Sequence, residues 1–151
     1  MTSFIFPGQG SQYPEMSKDF YDNFQVARHT FQEIEDYVEM NLKNIIFENQ
    51  NEKLNKTNFT QISIFTASII IFKTFLSETG FEKKQIKVML GHSLGEYTAL
   101  ACSNKLSLQD CSQILKKRGE LMNNTIESNT TGMAALIGKD AKNIQSIIDQ
   151  K

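Results

Sequence analysis

Between residues 86 and 103 the chain passes from an apolar run, Ile86-Lys87-Val88-Met89-Leu90, through Gly91-His92-Ser93-Leu94-Gly95 into a stretch with helical character. A serine flanked by glycines at this spacing, with a strand before it and a helix after it, describes a sharp strand-to-helix turn. Such a turn lifts the serine hydroxyl to the carboxyl edge of a parallel sheet, and the glycines permit the close backbone approach that it needs. The helix that follows aims its N-terminal amides at the same point and favours negative charge there. Ser93 is therefore read as a nucleophile on an elbow, with the Leu94 N–H as an oxyanion donor.

The surrounding pattern predicts an α/β fold. Residues 3–6 (Ser-Phe-Ile-Phe) read as a buried strand halted by Pro7-Gly8, and residues 8–12 as a loop of small residues with exposed amides. Phe20, Phe24, Ala27, Phe31, Ile34 and Val38 recur at threes and fours, which predicts one or two amphipathic helices over 16–40. Residues 48–58 are polar and read as a loop or a weak helix end. Residues 60–77 are the most apolar stretch, but Gln61, Thr66, Ser68, Lys73 and Thr74 interrupt it. A membrane span needs ~20 apolar residues, so a central helix packed on several sides is expected, stopped at Gly80. Ser107 and Asp110 resemble a cap opening a helix to about Asn123. Residues 132–138 read as a further strand and 140–151 as a last helix. Strands alternating with helices imply a largely parallel sheet.

Composition narrows the function. The chain has 151 residues with 16 basic against 17 acidic side chains, which fits one domain and argues against a nucleic-acid binder. The N-terminus has no basic region and no long apolar run, so no signal peptide is expected and the location is read as cytoplasmic. Four Asn positions that match a glycosylation pattern (55, 58, 123 and 129) then carry no meaning. Cys102 and Cys111 are too few for a disulfide framework, lack metal-ligand spacing, and read as buried reduced thiols. No metal and no cofactor are implied. Arginine is scarce: only Arg28 and Arg118 occur, against fourteen lysines. Arg118 by itself reads as a solvated helix position beside Lys116 and Lys117, or as a rigid two-pronged donor kept for a specific task.

The chain has two histidines, His29 and His92. His92 adjoins Ser93, so at a tight turn its side chain should diverge from the hydroxyl and pack or hydrogen-bond beneath the turn. His29 falls on a predicted helix and reads as a surface residue. A hydrolase with this turn takes its histidine downstream of the serine, and no histidine lies there. A self-sufficient esterase is therefore not expected.

Two segments together, Phe6-Pro7-Gly8-Gln9-Gly10-Ser11-Gln12 and Gly91-His92-Ser93-Leu94-Gly95-Glu96-Tyr97, resemble the malonyl-CoA:acyl-carrier-protein transacylases of fatty-acid synthesis. Thr60-Gln61, Lys117-Arg118-Gly119 and residues 132–138 fall where that family has matching segments. The resemblance implies a hydrolase-like parallel sheet in residues 1–124. It also implies that residues 125–151 open an inserted ferredoxin-like subdomain. Ser93 would carry the malonyl group from malonyl-CoA to the phosphopantetheine thiol of acyl carrier protein. Gln9 and Leu94 would form the oxyanion hole, Arg118 would bind the malonyl carboxylate, Gln61 would line the pocket, and His92 would support the site.

The family is about twice this length, and its catalytic histidine falls in the half not represented here, so a separate polypeptide supplying that half is one expected partner. The chain alone is then expected to be nearly inactive. Other readings are a non-catalytic module binding acyl carrier protein or a CoA thioester, and a serine hydrolase of the patatin or esterase type. No membrane partner is expected.

Overall fold

The structure, a computed structural model, describes residues 2–124. The expected strand and helix of residues 132–151, and the boundary after residue 124, lie outside the described residues. Strand β1 (Thr2–Phe6) leads through the loop at 7–17 into helices α1 (Lys18–Asn23), α2 (Gln25–Val38) and α3 (Leu42–Ile46). A 3-10 segment (Gln50–Asn55) precedes the long helix α4 (Thr57–Thr79). Strand β2 (Ile86–Gly91) then pairs with β1 in parallel, and α5 (Gly95–Cys102) and α6 (Leu108–Asn124) follow. The fold is α/β, mostly helical, with a small parallel sheet.

Helix α4 forms because its residues can be buried all round. Ile62, Phe65 and Ile70 are fully buried, and α2, α5 and α6 pack around it. A helix without an amphipathic stripe belongs in a core, where tertiary packing supplies its stability. It is long and apolar enough to cross a membrane by length and composition, yet most of its apolar window is buried inside the protein. Two buried hydroxyls are satisfied within or next to the helix, Thr66 Oγ1 on Ile62 O at 2.8 Å and Thr60 Oγ1 on Leu54 O at 2.7 Å. Gly80, at φ 66°, ends the helix in the left-handed conformation that glycine adopts without penalty. On α2, Ala27, Phe31, Ile34 and Val38 are the buried stripe that the spacing predicts.

The sheet departs from expectation. Phe4 and Phe6 turn toward α4, where Phe4 meets the edge of Phe72 at a centroid distance of 5.1 Å. In the pairing register Ser3 lies opposite Val88 and Ile5 opposite Leu90. All four are exposed, with Ile5 at 74% and Leu90 at 53%. The reading of residues 3–6 as a buried strand is therefore corrected: the strand is buried on one face only. Apolar composition led to the two-sided reading, because parallel strands are ordinarily covered on both faces.

Candidate active site

Strand β2 ends at Gly91 and α5 begins at Gly95, so His92, Ser93 and Leu94 alone make the turn. Ser93 has φ 54°, a left-handed conformation that costs a non-glycine residue about 1–3 kcal/mol. Backbone bonds lock the turn: His92 N–H donates to Phe6 O at 3.1 Å and Gly95 N–H to His92 O at 2.9 Å. The glycines are required by contact. A Cβ on Gly91 would lie 1.9 Å from the Gly95 carbonyl carbon, and one on Gly95 would lie 2.4 Å from Phe6 O. The ends of β1, β2 and α5 converge only because neither residue has a side chain.

The loop after β1 is pressed against this turn. A Cβ on Gly8 would lie 2.4 Å from His92 Nδ1 and 2.7 Å from His92 O, so the His92 ring lies against Gly8. Ser11 Oγ donates to Gly8 O at 2.8 Å and Gly10 N–H to Gln12 Oε1 at 2.8 Å, which shape the loop around Gln9. Gln9 Nε2 donates to Thr57 Oγ1 at 3.2 Å and ties the loop to the first turn of α4. Leu94 is fully buried at the start of α5.

Three positions distant from it in sequence form a chain of hydrogen bonds that ends at Ser93. Arg118, on α6, donates from Nη2 to Ser93 Oγ at 3.2 Å and from Nη1 to Gln61 Oε1 at 2.5 Å. Gln61 is fully buried on α4, and its Nε2 donates to Met122 Sδ at 3.1 Å. Helix α6 comes this close to α4 because Gly119 faces it: a Cβ there would lie 3.0 Å from Thr57 O. Among the described residues no carboxylate forms an ion pair with Arg118. A guanidinium that is partly buried beside a hydroxyl and lacks an acidic partner is well suited to an anionic group.

Ser93 Oγ bonds to Arg118 and, among the described residues, to no histidine. His29 is exposed on α2, beside Ser77 and Glu78, on another part of the surface. Neither thiol offers an alternative nucleophile. Burial pushes the Cys102 thiol up to about 12 and the Cys111 thiol to about 11, so both stay protonated near neutral pH. Both are free and buried. No group of three or more His, Cys, Asp or Glu that could hold a metal occurs among the described residues. Two residues of the constellation were not anticipated from sequence. Met122 carried a usable signal, since it lies one helical turn beyond Arg118 on the same face. Thr57 carried none, because only the tertiary fold brings it to Gln9.

Known proteins similar to this chain in sequence and fold identify its family. Residues 3–150 match the acyl transferase domain family. A malonyl CoA-acyl carrier protein transacylase of Bacillus subtilis (strain 168) is 36% identical over 148 residues, covering 98% of this chain and 45% of that protein. The crystal structure of an acyl-carrier-protein S-malonyltransferase from Bartonella henselae superposes with a TM-score of 0.87 at 35% identity, over 99% of this chain and 48% of that one. A malonyl-transacylase solved in complex with its type II PKS acyl-carrier protein aligns with a TM-score of 0.75 at 34% identity, over 83% of this chain and 40% of that one. The chain thus spans about half the length of the relatives it matches. On sequence and fold together, this chain belongs to the acyl transferase domain family, the family to which these malonyl-transferring relatives are similar.

Proposed function

We propose that this chain is the N-terminal portion of an enzyme that moves a malonyl group from malonyl-CoA to the phosphopantetheine thiol of acyl carrier protein in fatty-acid synthesis. The observation that carries the reading is the contact between Arg118 and Ser93, a cation without an acidic partner among the described residues, beside a hydroxyl held on a strained turn. An acyl donor that ends in a carboxylate engages both groups at once. Acetyl and simple ester substrates leave the guanidinium unused.

The turn acts as a nucleophile elbow. Ser93 Oγ attacks the thioester carbonyl carbon, and its proton passes to a base supplied by polypeptide outside this chain, since neither His29 nor His92 bonds to Ser93. The oxyanion of the tetrahedral intermediate accepts from the N–H groups of Gln9 and Leu94. The carbon–sulfur bond then breaks, CoA leaves as the thiol after regaining a proton, and malonyl remains as an ester on Ser93. The acyl-carrier-protein thiol attacks that ester, takes the malonyl group as a new thioester and restores the serine hydroxyl. Arg118 holds the malonyl carboxylate through both steps, and His92 supports the turn from behind, against Gly8. A further polypeptide segment carrying the base belongs to the proposal, and the open sheet face supports it. A cytoplasmic setting is also part of the proposal, since it suits two buried free thiols.

Mass analysis after incubation with malonyl-CoA tests the reading, with the chain alone and with the C-terminal half of a relative added. Alone, the chain should acylate slowly, retaining only the roughly 10³–10⁴-fold advantage over water that binding and the oxyanion hole give. With the added half, a malonyl mass should appear at Ser93. Arg118→Ala should then lower the preference for malonyl over acetyl by about 10–100-fold, the worth of a charge-assisted bond. No malonyl mass at Ser93 under either condition would overturn the proposal in favour of a non-catalytic binding module.

A further inference from the structure

Gln61 is a fully buried amide at the site, and both of its polar atoms are engaged within the protein. An amide side chain is nearly symmetric in shape but opposite in chemistry at its two ends. With the oxygen toward Arg118 it accepts from the guanidinium. Flipped, it would set an NH2 against Nη1, and two donors would face each other. Arg118 thus favours one orientation, and the partner on the other side reinforces it. That partner is Met122 Sδ, which accepts from Gln61 Nε2 and can donate nothing. A buried amide N–H without an acceptor carries a desolvation penalty, so even a weak acceptor biases the flip.

The arrangement is built by two helices. Arg118 and Met122 lie one turn apart on α6, and Gln61 reaches from α4 to bridge them. The bridge fits because Gly119, between the two, allows α6 to approach the Thr57 carbonyl on α4. Arg118 in turn has a planar fork: one prong is held by Gln61 and the other reaches Ser93. Fixing the first prong fixes the direction of the second.

We propose that Met122 is a positioning residue for the site, whose thioether locks the Gln61 amide and through it holds the Arg118 guanidinium at Ser93. On this proposal Gln61 serves the arginine and leaves the substrate to it. The inference rests on the reading of Arg118 as the carboxylate-binding residue, and its test separates the two.

Nitrogen-15 NMR of the full chain resolves buried side-chain amides, and Gln61→Met identifies the Gln61 NH2 pair by its disappearance. Met122→Leu keeps the volume and removes the acceptor, while Met122→Gln supplies a stronger acceptor. Hydrogen exchange of the Gln61 NH2 pair should quicken about three- to tenfold in Met122→Leu and return toward the original rate in Met122→Gln. The ratio of malonyl-CoA to acetyl-CoA affinity should fall and recover in the same order. Unchanged exchange in Met122→Leu overturns the proposal, as does equal quickening in both variants, which would mark Met122 as packing alone. Protection from exchange that is lost in Met122→Leu and regained in Met122→Gln while the affinity ratio stays constant upholds the positioning role and overturns the carboxylate role of Arg118.

Discussion

At φ 54°, Ser93 is a non-glycine residue in a conformation that glycine adopts more readily. The strain is maintained by neighbours, because the His92 and Gly95 amides are tied to Phe6 and His92 carbonyls and the chain has no freedom to relax. Replacing Ser93 by glycine should relieve it. Ser93→Gly is expected to raise stability by up to about 1 kcal/mol in urea denaturation while abolishing acylation, the opposing pattern of a site kept for function. A loss of stability would mean that the Arg118 contact outweighs the strain. Ser93 itself was legible from sequence, since glycines at 91 and 95 between a strand and a helix leave few other shapes. The identity of its hydrogen-bond partner was not, because Arg118 lies 25 positions away and only the packing of α6 brings it there.

Among the elements, the helix pattern over 16–40 followed from the spacing of its apolar residues while α3 (Leu42–Ile46) was not expected, and the Ser107 hydroxyl accepts from Asp110 N–H at 3.0 Å, as the cap at α6 predicts. The glycines at element ends decide how closely those elements pack. Gly95 begins α5 directly over the end of β1, with backbone oxygens of Phe6 and Pro7 within 2.8 Å of where a Cβ would stand. These are backbone atoms that cannot swing aside. Gly95→Ala is therefore expected to destabilise the fold by about 1–3 kcal/mol and to disturb Ser93, read as a lower urea midpoint together with lost acylation. A variant of unchanged stability would show that α5 can slide along β1 without cost.

For the molecule as a whole, the sheet is the unfinished part. Ile5, Val88 and Leu90 form an apolar face, and a groove of about 620 Å³ flanks β2, lined by every residue of that strand together with Ala99 and Leu100 of α5. Parallel sheets are ordinarily covered on both faces, and an uncovered strand edge invites pairing with another chain. The chain also spans 45% and 48% of the relatives quoted above. In isolation it should bind hydrophobic dyes and self-associate through this face. Leu90→Lys should weaken both, with stability changed by no more than about 0.5 kcal/mol because the side chain is already half exposed. Dye binding that persists undiminished in Leu90→Lys would place the sticky surface elsewhere.

The sequence by itself determined the strand-turn-helix around Ser93, the buried character of α4 and the family, because those depend on local backbone limits and on short-range apolar spacing. Tertiary structure alone decided that Arg118, Gln61, Met122 and Ser93 form one hydrogen-bonded chain, and that Gln9 is tied to Thr57. It also decided that the strands keep one face open, since apolar composition is the same whether a face is covered or not. Side-chain direction and long-range proximity arise only once α4 and α6 are packed, and no local pattern in the sequence encodes them.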